Sequence, residues 1–259
     1  MKIGFFDSGI GGITVLHEAL KILPNEDYIY YADTLNVPYG SKPKDEVKKY
    51  IFNAVDFIIK QDVKAIVIAC NTATSIAIEE LRAKYNIPII GMEPAVKPAV
   101  ENNEDINKRV LVTATALTVK EEKLQNLITK LDKERVIELL PLPGLVEFSE
   151  RLEFNESIVL PYLKEQLLKY DLSNYGTIVL GCTHFSYYKD MFRKLFSSNV
   201  NIIDGNYGTA KNLKRILREK NLLNEGSGNI TFYNTGLKVE DKAELDKYNR
   251  LFKRLDIIY

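Results

Sequence analysis

The sequence predicts an α/β protein with two similar α/β lobes, each built on a mainly parallel sheet, related by a pseudo-two-fold axis and with a functional site between them. Three observations carry this prediction. Short apolar runs alternate with helical patterns, two of these runs are nearly alike and end on the only two cysteines, and a second pair of runs ends on small polar residues.

The alternation of strands and helices comes first. Apolar runs of strand length occur at residues 2–6, 28–31, 65–69, 88–91, 109–112, 137–140, 177–181 and 201–203. Helical patterns separate them, for example over residues 47–59 and 158–168. Strand then helix, repeated, is typical of parallel α/β sheets, in which ligands bind at the carboxyl ends of the strands. Both cysteines lie at such ends.

The paired runs predict an internal duplication. Residues 65–69 lead into Cys70 and residues 177–181 lead into Cys182, each followed by small polar residues. Upstream of each cysteine, at a similar distance, another strand-like run ends near Asp7 in the first case and near Thr115 in the second. The similar spacing favours two related α/β halves, with Asp7 paired with Thr115.

The division into lobes follows from the prolines and the tail. Pro94 and Pro98 interrupt regular structure near residues 93–98, where we expect a hinge. Glu93 is interpreted as a surface residue of that hinge. The C-terminal tail, from about residue 207, contains a helical pattern at 210–217 and a strand-like run at 229–233. We therefore expect residues 1–95 plus 207–259 to form the first lobe and residues 96–206 the second.

Composition narrows the class of protein. The 259 residues are 46% hydrophobic and 27% charged, with 35 Lys plus Arg against 35 Asp plus Glu. The net charge is zero, so no overall electrostatic field attracts the chain to nucleic acid or to an anionic membrane, and a small-molecule partner is expected.

The opening residues lack the pattern of a signal peptide, and no apolar run is long enough to span a membrane. We therefore expect a cytoplasmic protein with free thiols. The cysteine and histidine spacing predicts no metal site.

Two loops carry candidate contacts. Asp7-Ser8-Gly9-Ile10-Gly11-Gly12 follows a strand and precedes the helical pattern at 13–23. Its glycines favour one of two structures, an anion site at a helix N-terminus or a plain structural turn. Asp7 likewise has two interpretations, a residue that acts in the site or a solvated carboxylate of the turn. The dinucleotide and P-loop patterns are incomplete, and an aspartyl-phosphate role is weakly supported.

The second loop, at residues 33–44, contains Pro38, Tyr39, Gly40 and Ser41. Proline and glycine make a turn the default explanation, yet long loops at strand ends also carry substrate contacts. Both interpretations stay open on the residues alone.

The cysteines have two interpretations as well. A lone cysteine on an apolar strand is usually a small core residue, but each thiol here stands where polar residues begin. His184 follows Cys182 by two residues, close enough to influence its protonation. A protease-type Cys/His nucleophile would leave Cys70 without a role. His17, beside Glu18 in a helical pattern, is expected on the surface.

Five motifs in register give a more specific indication. They are Phe6-Asp7-Ser8-Gly9-Ile10-Gly11-Gly12, Pro38-Tyr39-Gly40, Cys70-Asn71-Thr72-Ala73, Thr115 with Thr118, and Gly181-Cys182-Thr183-His184. In this order and at these separations the chain resembles the glutamate racemase family, from the first strand to about Asp204. The resemblance implies racemisation of glutamate without pyridoxal phosphate, any other cofactor or a metal, which supplies D-glutamate for peptidoglycan.

The resemblance also implies residue roles. One thiolate removes the α-proton while the opposite thiol returns a proton, so Cys70 and Cys182 are the expected catalytic pair. Asp7 would assist Cys70, and His184 would assist Cys182, with Glu147 a further carboxylate in the second half. Substrate contacts are expected from Asp7, Ser8, Pro38, Tyr39, Gly40, Asn71, Thr72, Thr115, Thr118, Thr183 and His184.

Two alternative functions stay open. One is another amino-acid or hydantoin racemase of the same superfamily, and the other is a two-lobed binding protein without turnover. The sequence does not determine the oligomeric state, and a homodimer is left open. Because the first strand begins at Lys2, we expect no N-terminal activator-binding segment of the kind that some relatives carry.

Overall fold

The computed structural model describes residues 1–103 and 108–259. Ten strands are described: β1 Lys2–Asp7, β2 Tyr28–Ala32, β3 Val63–Ile68, β4 Ile89–Gly91, β5 Arg109–Ala114, β6 Ile137–Pro141, β7 Tyr175–Leu180, β8 Asn201–Asp204, β9 Ile230–Asn234 and β10 Leu237–Lys238. Eleven α-helices are described: α1 Ile13–Ile22, α2 Lys44–Ile59, α3 Asn71–Lys84, α4 Val96–Glu101, α5 Ala116–Lys120, α6 Glu122–Leu131, α7 Pro143–Glu150, α8 Glu156–Leu167, α9 Lys189–Leu195, α10 Asn206–Glu219 and α11 Lys242–Ile258. Short 3-10 turns cover Tyr39–Ser41, Leu172–Asn174 and Thr183–Tyr188.

The strands form two sheets, which confirms the predicted two-lobed α/β fold. One sheet has six strands in the order β10-β9-β2-β1-β3-β4, and the other has four in the order β6-β5-β7-β8. Every pairing is parallel except that of β10 with β9. In β3 all six residues are buried, as expected of a central parallel strand covered on both faces.

The second sheet repeats the first in order and in register. Strands β2-β1-β3-β4 of the first sheet correspond to β6-β5-β7-β8 of the second. The β1–β3 ladder shifts register between Lys2 and Ile3, and the β5–β7 ladder shifts between Arg109 and Val110. The same irregularity at the same position of both sheets supports the predicted duplication.

The register corrects one predicted pairing. Phe6 pairs with Ile68 in the first sheet, and Thr113 pairs with Leu180 in the second. Two residues further along the first pair of strands, Ser8 is aligned with Cys70. In the second sheet, Thr115 is aligned with Cys182 in the same way. Thr115 is therefore the counterpart of Ser8 and not of Asp7, because sequence spacing alone could not resolve a difference of one residue in the loops between the strands.

The tail returns to the first sheet. Strand β9 pairs with β2, with Tyr28 opposite Ile230, so the strand-like run predicted at 229–233 is confirmed. The expected break at residues 93–98 is shorter than predicted, because α4 begins at Val96 and tolerates Pro98 in its first turn. The boundaries of the lobes at residues 95 and 207 stay a prediction.

Two side chains outside the candidate site test the sequence interpretation. Glu93 is half exposed and pairs with Lys123 at 2.7 Å, as a surface residue would. The expectation for His17 is wrong. Its ring is buried at 5% exposure, because α11 packs on α1 and brings Asp256 Oδ1 to 2.8 Å from His17 Nε2.

No helix within residues 1–103 and 108–259 is long and apolar enough to cross a membrane. No cluster of three or more His, Cys, Asp or Glu side chains in those ranges could hold a metal ion.

Candidate active site

The loop after β1 brings a buried carboxylate to the edge of the sheet. Asp7 is fully buried, so it is not a solvated turn residue. Its Oδ1 accepts the backbone N–H of Gly9 at 2.9 Å, and its Oδ2 accepts the hydroxyl of Thr183 at 3.2 Å. Burial raises the pKa of Asp7 against the opposing effects of His184 and the Gly9 amide. Asp7 therefore joins the loop after β1 to the turn after β7.

The glycines of this loop allow another segment of chain to approach. A Cβ on Gly9 would lie 1.9 Å from Glu150 Oε1, and one on Gly11 would lie 2.4 Å from Thr183 Oγ1. The backbone N–H of Ile10 donates to Glu150 Oε1 at 2.9 Å. The loop does bind a carboxylate, as one interpretation of the glycines predicted, but this carboxylate belongs to the protein.

Cys70 lies at the N-terminus of a helix. It caps α3, and its Sγ accepts the N–H of Ala73 at 3.4 Å and lies 3.7 Å from Ser8 Oγ. The side chain is 5% exposed. Burial, followed by the nearby charge of Asp7, raises the pKa of the Cys70 thiol to about 12. In the free protein Cys70 is therefore a protonated thiol at neutral pH.

Cys182 has a different neighbour. It follows β7 and precedes the 3-10 turn Thr183–Tyr188, and its Sγ lies 3.7 Å from His184 Nδ1. His184 Nε2 is in turn 2.6 Å from Glu150 Oε1. Burial alone would lower the pKa of His184, but the contacts with Cys182 and Glu150 outweigh it and raise that pKa well above its ordinary value. The protonated His184 ring therefore lies directly beside the Cys182 sulfur.

The difference between the two thiols follows from the duplication. In the register of the two sheets, Thr72 occupies the position in the first half that His184 occupies in the second. The hydroxyl nearest to the Cys70 sulfur is that of Ser8, whereas the Cys182 sulfur lies beside the His184 ring.

Glu150 is the site residue that the sequence analysis missed. It is the last residue of α7, and its side chain is 16% exposed. Glu147 lies one helical turn earlier, lines the cavity between the thiols and is exposed. Residues three apart share a helix face, so α-helical spacing could have pointed to Glu150 as well as to Glu147, and only the contact with His184 distinguishes the two acids.

Both thiols line one cavity of about 280 Å³. This volume lies just below the roughly 300–1,000 Å³ that is typical of ligand pockets, so the cavity suits a small ligand. The lining residues are Ser8, Pro38, Tyr39, Gly40, Ser41, Cys70, Thr72, Thr115, Ala116, Pro143, Val146, Glu147, Cys182 and His184. A larger surface groove of about 740 Å³ along α10 is lined by neither cysteine.

Hydroxyl groups form one wall of the cavity. The hydroxyls of Thr72, Thr115 and Thr118 lie 3.0 Å from one another in a triangle. Thr72 and Thr115 face the cavity, while Thr118 is fully buried behind them. The phenol of Tyr39 donates to Asp33 Oδ2 at 2.5 Å, so this hydroxyl already has a protein partner.

Four predicted contact residues lie behind the lining. Asp7, Asn71, Thr118 and Thr183 are all nearly or fully buried and are absent from the set that lines the cavity. Asn71 Nδ2 donates to the Met92 carbonyl at 3.4 Å. Within the part of the chain that the structure describes, Asn71 Oδ1 has no hydrogen-bond partner.

The two mainly parallel sheets share the order of four strands, and a buried thiol follows the corresponding strand of each at one small cavity. This arrangement defines a two-lobed α/β protein equipped for acid/base chemistry on a small ligand. The family model for Asp/Glu/Hydantoin racemase matches residues 15–212. The chain belongs to the Asp/Glu/Hydantoin racemase family.

Relatives and solved structures agree with that assignment. Glutamate racemase 2 of Bacillus subtilis (strain 168) is 59% identical over 256 residues, which cover 99% of this chain and 97% of that protein. Glutamate racemase of Halothermothrix orenii is 55% identical over 257 residues, covering 98% of this chain and 100% of that protein. The crystal structure of glutamate racemase isoform RacE1 from Bacillus anthracis has a TM-score of 0.81 at 29% identity and covers 98% of this chain and 92% of that one. Francisella tularensis glutamate racemase, solved in complex with D-glutamate, has a TM-score of 0.81 at 31% identity, with coverages of 98% and 93%.

Proposed function

We propose that this protein interconverts L-glutamate and D-glutamate without a cofactor, using Cys70 and Cys182 as the two acid/base groups. The observation that carries the proposal is the pair of buried thiols, at equivalent positions of two sheets, that line one small cavity. The names of the full-length relatives supply the choice of glutamate as substrate.

The reaction needs one proton removed and one returned. In one direction the Cys182 thiolate takes the proton from the substrate α-carbon, the C–H electron pair stays on that carbon, and Cys70 then donates its S–H proton to the other face. The protonated state of Cys70 in the free protein suits this direction. In the reverse direction the two sulfurs exchange roles.

The carbanion between these steps must be stabilised by the protein alone. Hydroxyls of Ser8, Thr72 and Thr115 line the cavity and are positioned to donate to substrate carboxylates. Gly40 and Pro38 bring backbone to the same wall. Exclusion of water strengthens each of these interactions. We assign Asn71, Thr118 and Thr183 to the same substrate-contacting shell when the ligand is bound.

The assisting groups have distinct proposed roles. His184 holds positive charge beside Cys182, and Glu150 keeps that charge in place through its 2.6 Å contact. Asp7 acts on the Cys70 side through its charge and its hydrogen bonds to Gly9 and Thr183. Glu147, exposed at the cavity wall, is proposed as a carboxylate that substrate passes on entry.

The cellular assignments extend the same proposal. D-glutamate would be supplied for peptidoglycan in the cytoplasm. The active site would lie between a lobe of residues 1–95 plus 207–259 and a lobe of residues 96–206, and a homodimer would be compatible with this arrangement.

Circular dichroism of L-glutamate tests the proposal directly. The purified chain, with no pyridoxal absorbance and no added cofactor, should drive the optical signal to zero, since the equilibrium constant of a racemisation is one. A signal that stays constant with L-glutamate but decays with L-aspartate or a hydantoin would assign a different substrate. No decay with any of these would favour a binding protein.

A further inference from the structure

The 3-10 turn Thr183–Tyr188 carries His184 on its inner side and is held from behind. Tyr187, three residues after His184, is fully buried, and its hydroxyl donates to the Ile10 carbonyl at 2.9 Å. The Ser186 hydroxyl accepts the side-chain amide of Asn206 at 3.1 Å. These contacts fix the side-chain face of the turn.

Arg254 of the C-terminal helix α11 holds the backbone of the same turn. Its Nε and Nη2 donate to the Tyr187 carbonyl at 3.2 and 3.0 Å. Nη2 also lies 2.7 and 2.8 Å from the two carboxylate oxygens of Asp190, and the guanidinium lies 5.5 Å from the centre of the Phe154 ring. The Arg254 side chain is only 16% exposed, so its charge is largely removed from water. A planar guanidinium with several fixed donors is suited to fix both groups at once.

We propose that Arg254 is a positioning residue that sets the place of His184 beside Cys182. The side chain contacts neither thiol and acts through the Tyr187 carbonyl, one turn of 3-10 helix beyond His184. The inference rests on the proposed racemase function for its kinetic consequence only. Its structural consequence, the position of the His184 ring, is measurable without any turnover.

Geometry explains why this half of the site needs such support. The 2.6 Å contact of His184 with Glu150 and its 3.7 Å contact with Cys182 both depend on where the turn lies. A shift of the turn by about an ångström would break both, and misplacements of that size cost on the order of 100-fold in rate. Cys70 caps the N-terminus of α3, and within the described residues none of the Arg254 hydrogen bonds reaches that helix.

The first variant is Arg254→Met, which keeps much of the apolar stem and removes the donors. We expect kcat to fall about 10- to 100-fold with KM changed by less than about threefold, since positioning of a reacting group is lost. Arg254→Lys keeps one charged donor and should restore part of the loss. Asp190→Asn keeps the contact of Arg254 with the Tyr187 carbonyl and should lose less activity than Arg254→Met.

Arg193→Met is the matched control. Arg193 lies on α9 and donates to the Ile258 carbonyl of α11 at 3.3 Å, so it links the same helix to its surroundings without touching the turn. If the effect of Arg254→Met came only from a loosened C-terminal helix, Arg193→Met would share it. We expect kcat of Arg193→Met to stay within about twofold of the wild type.

The second readout is the nuclear magnetic resonance titration of His184, which is one of only two histidines in the chain. His184 faces Cys182, Glu150 and Asp7, and the contacts with the first two raise its pKa. In Arg254→Met the titration of His184 should move down toward its ordinary range. If Arg254→Met does not fold, Arg254→Lys takes its place in the test. The pKa of His184 in Arg254→Lys should lie between that of the wild type and the ordinary value.

The outcomes separate the two proposals. An unchanged His184 titration in folded Arg254→Met would overturn the positioning role, whatever happens to the rate. Equal loss of kcat in Arg193→Met and Arg254→Met would also overturn it. A shifted His184 titration in a protein whose wild type racemises nothing would support the positioning role and reject the racemase function.

Discussion

Glu150 Oε1 lies 2.6 Å from His184 Nε2 and 2.9 Å from the backbone nitrogen of Ile10. One carboxylate oxygen thus joins α7, the turn after β7 and the glycine-rich loop after β1. The contacts of His184 with Cys182 and then with Glu150 raise its pKa well above the ordinary value, so this carboxylate helps to keep the imidazole charged. The contact links the conformation of the loop to the protonation of the site.

The two acids of α7 should therefore differ in effect. Glu150→Gln removes the charge that faces His184, so the pKa of His184 should fall and kcat/KM should drop about 100-fold, the range of a lost acid/base partner. Glu147→Gln is the matched control and should cost less than about fivefold in the same assay, because Glu147 is exposed.

Proton titration of His184 checks the cause. In the wild type its imidazole should remain protonated well above pH 6.5, the ordinary value, because a raised pKa retains the proton as pH rises. In Glu150→Gln the ring should lose its proton nearer to that value. A larger loss of activity in Glu147→Gln than in Glu150→Gln would reverse the assignment.

A matched pair of glycine substitutions tests the close approach of the loop to the turn. In Gly11→Ala the new methyl group would lie 2.4 Å from Thr183 Oγ1 and 2.5 Å from His184 Nδ1, so activity should fall at least about 100-fold. In Gly208→Ala, on α10, the methyl group meets nothing within 4 Å. That variant should keep full activity and gain about 0.5–1 kcal/mol in the free energy of unfolding.

Denaturant melts and initial rates measure both effects. Near-normal turnover in Gly11→Ala would mean that the loop and the turn separate more readily than their contacts indicate.

The ionisation of Cys70 predicts a pH dependence of alkylation. With a pKa of about 12, the thiolate fraction of Cys70 should rise about tenfold per pH unit between pH 7 and 10, and so should its reaction with iodoacetamide. The Cys182→Ser variant isolates this signal for mass spectrometry of the Cys70 peptide. A rate that levels off near pH 8.5, as for an ordinary thiol, would contradict the effect of burial on Cys70.

Asp7 and His184 should affect the two directions unequally. If each assists one sulfur, Asp7→Asn and His184→Asn should lower kcat from L-glutamate and from D-glutamate by different factors, and the two variants should differ in the more affected direction. The ratio of kcat/KM between directions stays at one, so the asymmetry appears in kcat and KM separately. Initial rates from each enantiomer measure it, and equal factors in both variants would remove one-sided assistance.

Much of the fold could be predicted, because the spacing of apolar residues and the succession of strand and helix patterns can be read directly along the chain. Strand β3 lies within two residues of its predicted run, and the apolar face over residues 47–59 predicts most of α2. Cys70 and Cys182 meet at one cavity because the carboxyl ends of parallel strands lie at one edge of each sheet. Motif order and strand ends were enough for this part of the site.

Contacts between distant segments could not be predicted. Glu147 and Glu150 have the same helical periodicity, and only the packing of α7 against the loop after β1 selects Glu150. His17 looks like a surface residue until α11 covers it. Asp7 and Ser8 differ by one position, which the register of hydrogen-bonded strands resolves and sequence spacing does not.

The central claim is that two acid/base groups act on opposite faces of the substrate α-carbon. Following the α-hydrogen of the substrate tests this claim directly. Protiated L-glutamate is converted in D₂O, and product and remaining substrate are analysed by nuclear magnetic resonance within the first few per cent of reaction. The account predicts D-glutamate deuterated at the α-carbon, because the thiol on the opposite face donates a solvent-derived deuteron, while the remaining L-glutamate keeps its α-proton. Cys70→Ser and Cys182→Ser, which are nearly isosteric, should each abolish the conversion. Product that retains the α-proton, or deuterium entering L-glutamate as fast as it enters the product, would contradict a two-thiol mechanism.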